Sequence, residues 1–274
     1  MKIVFFGSSK YSLIGAKIIH ESLGICLIVT VPQSPLEKFV AEKNIPFLSV
    51  KKLSEDVIGK IAQTKPDFFV VEDYGLILPE TLLNLPKFAS LNIHHSLLPK
   101  YRGPSPAPSA ILAGEKVSGV SIIQMTNKVD AGDIYAQKEY ALKPNETTES
   151  LLTELNTLGA ELITSVIKNI EAGETTATKQ DESKATKTTF MQKKNGFIDL
   201  DNLPGREKFD RMVRAFYPWP GVWTQLRLSS AGQAKIIKFL PNKQIQVEGK
   251  KPLSYKDFLN GYQNLNPKLL SLLR

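Results

Sequence analysis

From Met1 to about Gly173, short apolar runs rich in Val, Ile and Phe alternate with amphipathic stretches, and that alternation leaves few folds open. MKIVFFG reads as a buried strand closed by Gly7, and Ser8 and Ser9 can cap the helix that follows it to about His20. CLIVTV, IPFLSV, PDFFVVEDYG, FASLNIHHS and VSGVSIIQM read as further strands. LEKFVAEKN, VIGKIAQTK and ETLLNL read as helices between them, and TTESLLTELNTLGAELITSVIKNIEAG as a long closing helix, capped by Thr147 or Thr148 and stopped at Gly173. Strands that alternate with helices predict a Rossmann-like, doubly wound, mostly parallel sheet, an α/β fold. Only one glycine follows the first strand. FGSSKYS is therefore no G-x-G-x-x-G, and a dinucleotide site has weak support.

The pattern changes after Gly173. Residues 174–194, ETTATKQDESKATKTTFMQKK, are polar, rich in Thr and Lys, and read as an exposed linker. Beyond it GFIDL, GVWTQLRLS, KIIKFL and QIQVE are short strand-like runs, preceded or joined by the helix REKFDRMVRAF and the stiff turn YPWPG. They predict a second, small β-barrel domain of the OB type over 195–274, after a first domain over 1–173. A chain of 274 residues has room for both.

Charge follows the same division. The net charge is +8, and from Asn195 onward there are 13 Lys and Arg against 6 Asp and Glu. A basic second domain reads either as a solvated, soluble face or as the seat of a polyanionic partner, with nucleic acid the usual one. The one cysteine, Cys26, lies in the apolar run GICLIVTV, so no intrachain disulfide can form. A reducing cytoplasm is the expected setting. No apolar run reaches the roughly 18 residues of a membrane helix, and MKIVFFGSS lacks the features of a signal peptide.

The chemistry concentrates in NIHHSLLPKYRG, residues 92–103. On a strand Asn92 and His94 share a face and Ile93 points the other way. An amide N–H beside an imidazole suits carbonyl chemistry: the amide holds a developing oxyanion and the imidazole exchanges protons near neutral pH. Asp130, in NKVDAGD after the strand VSGVSIIQM, is placed to orient His94 if that strand is parallel to its neighbours; the residue types alone fit as well a histidine satisfied in the core and an aspartate in a turn. His95 should face away from Asn92 and His94 and take no part. SLLPKYRG, stiffened by Pro99, reads either as part of a proline-rich surface loop or as a fixed wall for a flat ligand with Ser96 as a polar contact. PSPAPS after it reads as a surface loop. Three histidines without H-x-x-x-H spacing or a cysteine cluster do not suggest a metal site.

These residues resemble a known family. LNIHHSLLPKYRG is similar to the N-I-H-x-S-L-L-P-x-[YW]-R-G signature of 10-formyltetrahydrofolate-dependent formyltransferases, and VDAGDIY to their L-D-x-G-D segment. RAFYPWPGVWTQL, QIQVEGKKPLSYKDFLNGY and KQDESKATKTT resemble segments of the methionyl-tRNA formyltransferase branch. The resemblance runs almost end to end. It implies transfer of a formyl group from 10-formyltetrahydrofolate to the α-amine of charged initiator tRNA. Asn92, His94 and Asp130 would be the catalytic trio, with no metal. Ser96, Leu97, Leu98 and Pro99 would border the folate, and Tyr74, Leu76, Ile77, Leu78 and Pro79 would line its pterin pocket. The second domain would help hold tRNA, with Lys10, Lys100, Arg102, Arg214, Lys250 and Lys251 as the candidate contacts. A monomer is the default expectation.

The sequence also departs from that family. The long basic loop after the second strand is largely missing, since VTVPQSPLEKF runs almost directly from strand to helix. His95 stands where Pro or Gly is usual, and Tyr217 where Asn is usual. The alternatives are a formyltransferase for an amino-sugar nucleotide or another small amine, a hydrolase of the formylated folate, and an RNA-binding protein with an idle site.

Overall fold

The computed structural model describes residues 1–228, 233–262, 265 and 267–273. The described chain divides into two compact units. The first comprises Met1–Pro106, Val117–Ala141 and Leu152–Thr188; the second comprises Ala107–Lys116, Leu142–Leu151 and the chain from Thr189 onward.

The elements of the N-terminal part run β1 (Ile3–Gly7), α1 (Ser12–Leu23), β2 (Leu27–Thr30), α2 (Leu36–Lys43), β3 (Phe47–Ser49), α3 (Glu55–Gln63), β4 (Phe68–Glu72), α4 (Glu80–Leu83) and β5 (Ala89–His94). They are followed by α5 (Pro106–Ala113), β6 (Val117–Gln124), β7 (Ile134–Ala141) and α6 (Thr148–Ala172). The seven strands form one sheet in the order β3-β2-β1-β4-β5-β6-β7. The pairs from β3 to β5 are parallel, as expected. β6 and β7 are antiparallel to their neighbours. The expectation that β6 ends at the carboxyl edge of the sheet is corrected here: Gln124 pairs across from Leu91, not beyond His94. An apolar run carries no direction, so its polarity was not readable.

Alternation along the parallel strands buries both faces, as a parallel sheet requires. Ile3, Phe5, Ile28, Phe68, Val70, Leu91 and Ile93 pack toward Ala16 and Ile19 of α1 and Ile163 and Ile167 of α6. Val4, Phe6, Val29, Phe69 and Val71 pack on the other side with Ile61, Leu82 and Leu83. PSPAPS is a loop only over Pro104 and Ser105; from Pro106 it is the start of α5. Pro106 and Pro108 fall in the first turn of α5, where the missing N–H groups would have had no helical partner.

The second unit contains α7 (Arg206–Ala215), β8 (Val222–Arg227), β9 (Ala234–Leu240), β10 (Gln244–Val247), β11 (Leu253–Ser254), α8 (Tyr255–Gly261) and α9 (Pro267–Leu273). Where the sequence predicts a small barrel, the described residues form a four-stranded antiparallel sheet, β11-β10-β9-β8. Phe209 of α7 meets Phe239 of β9 edge to face at 5.0 Å. Of GFIDL, only Phe197 joins a strand, through a single bridge to Trp223. Gly196 before it comes so close to the carbonyl of Gly221 that a Cβ would lie 1.7 Å from it. Ser229, the end of the expected run GVWTQLRLS, lies outside the described residues, as does Arg274.

Candidate active site

β5 ends at His94 between β4 and β6, and its alternation delivers Asn92 and His94 as the sequence reading expects. Ile93 is 2% exposed and belongs to the core. Gly159 of α6 packs directly on Ile93, whose Cγ2 would lie 2.4 Å from a Cβ at that position. Asn92 is anchored to the neighbouring strand: its Nδ2 donates to the Val71 carbonyl at 3.1 Å. An amide nitrogen carries two hydrogens, so this bond uses one. The other atom of the amide, Oδ1, is buried with no hydrogen-bond partner in the protein.

The His94 ring is buried and faces two acceptors. Nε2 lies 3.0 Å from the carbonyl oxygen of Tyr101, and Nδ1 lies 3.5 Å from Asp130 Oδ2. A carbonyl accepts only, so Nε2 carries the hydrogen in the neutral ring, and Nδ1 can donate to Asp130 only when the ring is charged. Burial lowers the proton affinity of His94, while Asp130 and the Tyr101 carbonyl raise it; burial prevails and the pKa lies below the ordinary histidine value. The site thus holds a mostly neutral imidazole that becomes cationic when a proton reaches it.

Asp130 arrives from an unexpected direction. Residues 126–133 leave β6 beside the start of β5 and fold back, and Asp130 sits in a left-handed conformation (φ 50°). Its Oδ2 accepts from the Gly103 amide at 2.7 Å. Gln180 Nε2 donates to the carbonyls of Asp130 and Gly132, at 2.9 and 2.7 Å. Gly132 is needed there, because a Cβ would stand 1.7 Å from the Gln124 carbonyl oxygen.

Gln180 lies in the stretch expected to be an exposed linker. Up to Thr188 that stretch belongs to the first unit. Residues 186–188 run beside 99–103: Arg102 N donates to the Thr186 carbonyl, Thr188 N to the Arg102 carbonyl, and Tyr101 N to Thr186 Oγ1. Arg102 is a correction to the set of tRNA contacts. It is 5% exposed, its guanidinium donates to both oxygens of Glu182 at 3.0 and 2.7 Å and to Gln180 Oε1, and it has no face left for a phosphate. Arg214 is also engaged, with Asp210 at 2.9 Å and the Glu146 carbonyl at 3.0 Å. Lys10, Lys100, Lys250 and Lys251 are exposed.

The wall 96–99 is held by side chains that sequence reasoning missed. Ser121 Oγ donates to the Ser96 carbonyl and accepts from the Leu98 amide, and Gln137 Nε2 donates to the Leu98 carbonyl. Gly119 lets Leu97 pack on β6, where a Cβ would meet Leu97 Cδ2 at 2.6 Å. The Ser96 hydroxyl donates to the Lys100 carbonyl at 2.7 Å. Leu97 and Pro99 are half-buried and Leu98 is buried. In the 74–79 loop Ile77 is 92% exposed, Pro79 is exposed and Leu76 is half-buried, but Leu78 is 6% exposed within the core. Leu78 and Leu98 therefore shape the two loops from beneath. Tyr74 packs edge-on against Phe6 at 5.5 Å, and its hydroxyl is buried without a protein partner.

This geometry has relatives. The formyl transferase family pattern matches residues 1–167. A methionyl-tRNA formyltransferase from Idiomarina loihiensis is 32% identical, with 97% of this chain and 98% of that protein covered. The chain belongs to the formyl transferase family. Among solved structures, a 4-N formyltransferase from Francisella tularensis superposes with a TM-score of 0.69 at 23% identity, covering 88% of this chain and 98% of that one. HypX from Aquifex aeolicus, in complex with tetrahydrofolic acid, superposes at 0.62 and 17% identity, covering 96% of this chain and 48% of that one. Both structures show a shared fold. Among the described residues of this family member no group of three or more His, Cys, Asp or Glu is arranged to hold a metal, and no helix is long and apolar enough to cross a membrane.

Proposed function

We propose that this chain transfers a formyl group from 10-formyltetrahydrofolate to the α-amine of methionyl-tRNA, with Asn92, His94 and Asp130 as the catalytic residues. The observation that carries the reading is the convergence of Asn92 and His94 from one strand with Asp130, 3.5 Å from the ring, in a member of the formyl transferase family. The relatives matched over nearly their whole length bear the methionyl-tRNA name. The folate supplies the activated formyl carbon. The buried, unpartnered Asn92 Oδ1 and Tyr74 hydroxyl fit a flat ligand with polar edges.

The chemistry asked of the protein is modest. The remaining N–H of Asn92 meets the oxyanion that forms when the amine adds to the formyl carbon. His94 takes up a proton from the attacking amine, and Asp130 stabilises the imidazolium so formed; as the oxyanion collapses, the bond from the formyl carbon to the folate nitrogen breaks and His94 returns the proton to that departing nitrogen. Burial keeps the ring neutral, hence able to accept, before the reaction begins.

The second unit, with Lys250 and Lys251 exposed, is proposed to hold tRNA in a protein that works as a cytoplasmic monomer. The connection between β2 and α2 is only residues 31–35, VPQSP, and carries no basic side chain. Recognition of the acceptor end must therefore come from elsewhere, with Lys10 and Lys100 as candidates. A formylation assay with 10-formyltetrahydrofolate and Met-charged initiator and elongator tRNAs tests the reading. Product is expected on the initiator, and His94→Ala should lower the rate by about 10²- to 10⁴-fold while the protein stays folded. No product on either tRNA, with product on an amino-sugar nucleotide, would reassign the acceptor.

A further inference from the structure

Behind the trio lies a second cluster of ionisable groups that the proposed reaction does not use. Glu72, the last residue of β4, is 0% exposed, and neither carboxylate oxygen has a hydrogen-bond partner in the protein. Gly15 of α1 makes the seat for it: a Cβ there would stand 1.8 Å from Glu72 Oε2. An isolated buried carboxylate is costly and stays protonated unless a cation lies close. The nearest cationic group is His95, 4% exposed, with Nε2 3.9 Å from Glu72 Oε1. The other ring nitrogen, Nδ1, lies 3.6 Å from Asp73 Oδ1. Asp73 is itself fixed by Ser9, whose hydroxyl donates to its Oδ2 at 3.1 Å. Asn156 of α6 faces His95 as well, and its Oδ1 is buried without a partner. His94 is the next residue in the chain.

We propose that Glu72, Asp73 and His95 form an internal proton-holding cluster that sets the charge state of the neighbouring His94 ring, which makes His95 a positioning residue of the reaction proposed above.

One imidazole between two carboxylates favours its charged form. Burial works against that form, but Asp73 first and then Glu72 outweigh it, and His95 is held above the ordinary histidine range. Burial pushes Glu72 the same way, up to about 8, with His95 opposing. Both groups thus hold their protons to higher pH than they would in water, and the pair titrates as a unit. With the proton on His95, a cation stands beside His94 and disfavours a second one there. Burial and the charge on His95 both hold His94 down, while Asp130 and Asp73 hold it up. The cluster therefore helps keep His94 neutral and ready to accept a proton from the amine.

The inference rests on His94 being the proton carrier, but its test needs no substrate. The chain has three histidines, so their ring ¹³Cε1–¹H signals can be assigned with His94→Ala and His95→Gln and followed from pH 5 to 9. In the wild-type protein His95 should keep its proton above the range of an ordinary imidazole. In Glu72→Gln its midpoint should fall. In His95→Gln the midpoint of His94 should rise by about half a pH unit or more, roughly threefold in proton affinity. The acid limb of the pH–kcat/KM profile should move by the same amount in the same direction. A wild-type His95 that is neutral throughout would overturn the proposal without recourse to any variant. So would a His94 midpoint that is identical in the folded variants, or a rate loss equal at every pH with the limb unmoved. A folded protein without formyl-transfer activity would still show the linked titrations, so the reaction and the cluster fail separately.

Discussion

A neutral imidazole has one N–H to give, and His94 faces two acceptors, the Tyr101 carbonyl and Asp130 Oδ2. The structure is thus arranged for the cationic ring, while burial favours the neutral one. A base of this kind serves when the proton it accepts arrives together with the substrate. Asp130 raises the proton affinity of His94, so Asp130→Asn should move the acid limb of kcat/KM to lower pH as well as reduce the plateau. A limb that stays in place or moves to higher pH would contradict that role. The i, i+2 relation of Asn92 and His94 was legible because a strand end has only two faces. The burial of Arg102 was not, because its partners Gln180 and Glu182 follow about eighty residues later. A basic residue in a loop looks solvated until the rest of the chain arrives.

Among the elements, β5 and α6 form the platform beneath the site. They pack at Gly159 against Ile93. In an isolated helix Gly→Ala would stabilise by about 1 kcal/mol. Here the methyl has no room, and Gly159→Ala is expected to destabilise by about 1–3 kcal/mol. Because Ile93 lies between Asn92 and His94, activity should fall by more than the unfolded fraction explains. Urea unfolding and rates measured on the same sample separate the two effects, and an increase in stability would show that α6 can withdraw. The strap of residues 178–188 is the element that sequence reasoning passed over. It has no hydrophobic period to announce it. It holds the Asp130 loop through Gln180 and the 99–103 segment through Thr186 and Thr188, by hydrogen bonds and not by apolar burial.

For the whole molecule, Glu72 links stability to pH. Its folded pKa, pushed up to about 8, lies above the unfolded value of about 4.3. The stability it confers is present below about pH 4.3 and is lost as pH rises toward 8. Glu72→Gln removes that loss. The variant should gain on the wild type steadily from pH 5 to 8 in urea midpoint, and parallel midpoints across that range would show that Glu72 does not ionise on unfolding alone. Charge at the same scale predicts that tRNA binding weakens steeply with salt. If Lys250 and Lys251 contact phosphates, changing both to Gln should make the slope of log K against log salt shallower by about one for each contact. An unchanged slope would place the tRNA on another face.

What the amino-acid order determined by itself is whatever depends on near neighbours. The periods of strand and helix specified an α/β unit followed by a β-rich one, and two residues on one strand face announced the candidate chemistry. Tertiary structure decided what depends on chain direction and on distant partners. β6 enters antiparallel because its apolar pattern reads the same both ways, and only pairing with β5 sets its sense. Asp130 reaches His94 by a returning loop tied to Gly103 and Gln180. His95, which read as a bystander, lies in a buried charged cluster because Glu72, Asp73 and Asn156 come from two other elements to meet it. A burial cost of that kind exists only once the fold has removed the water.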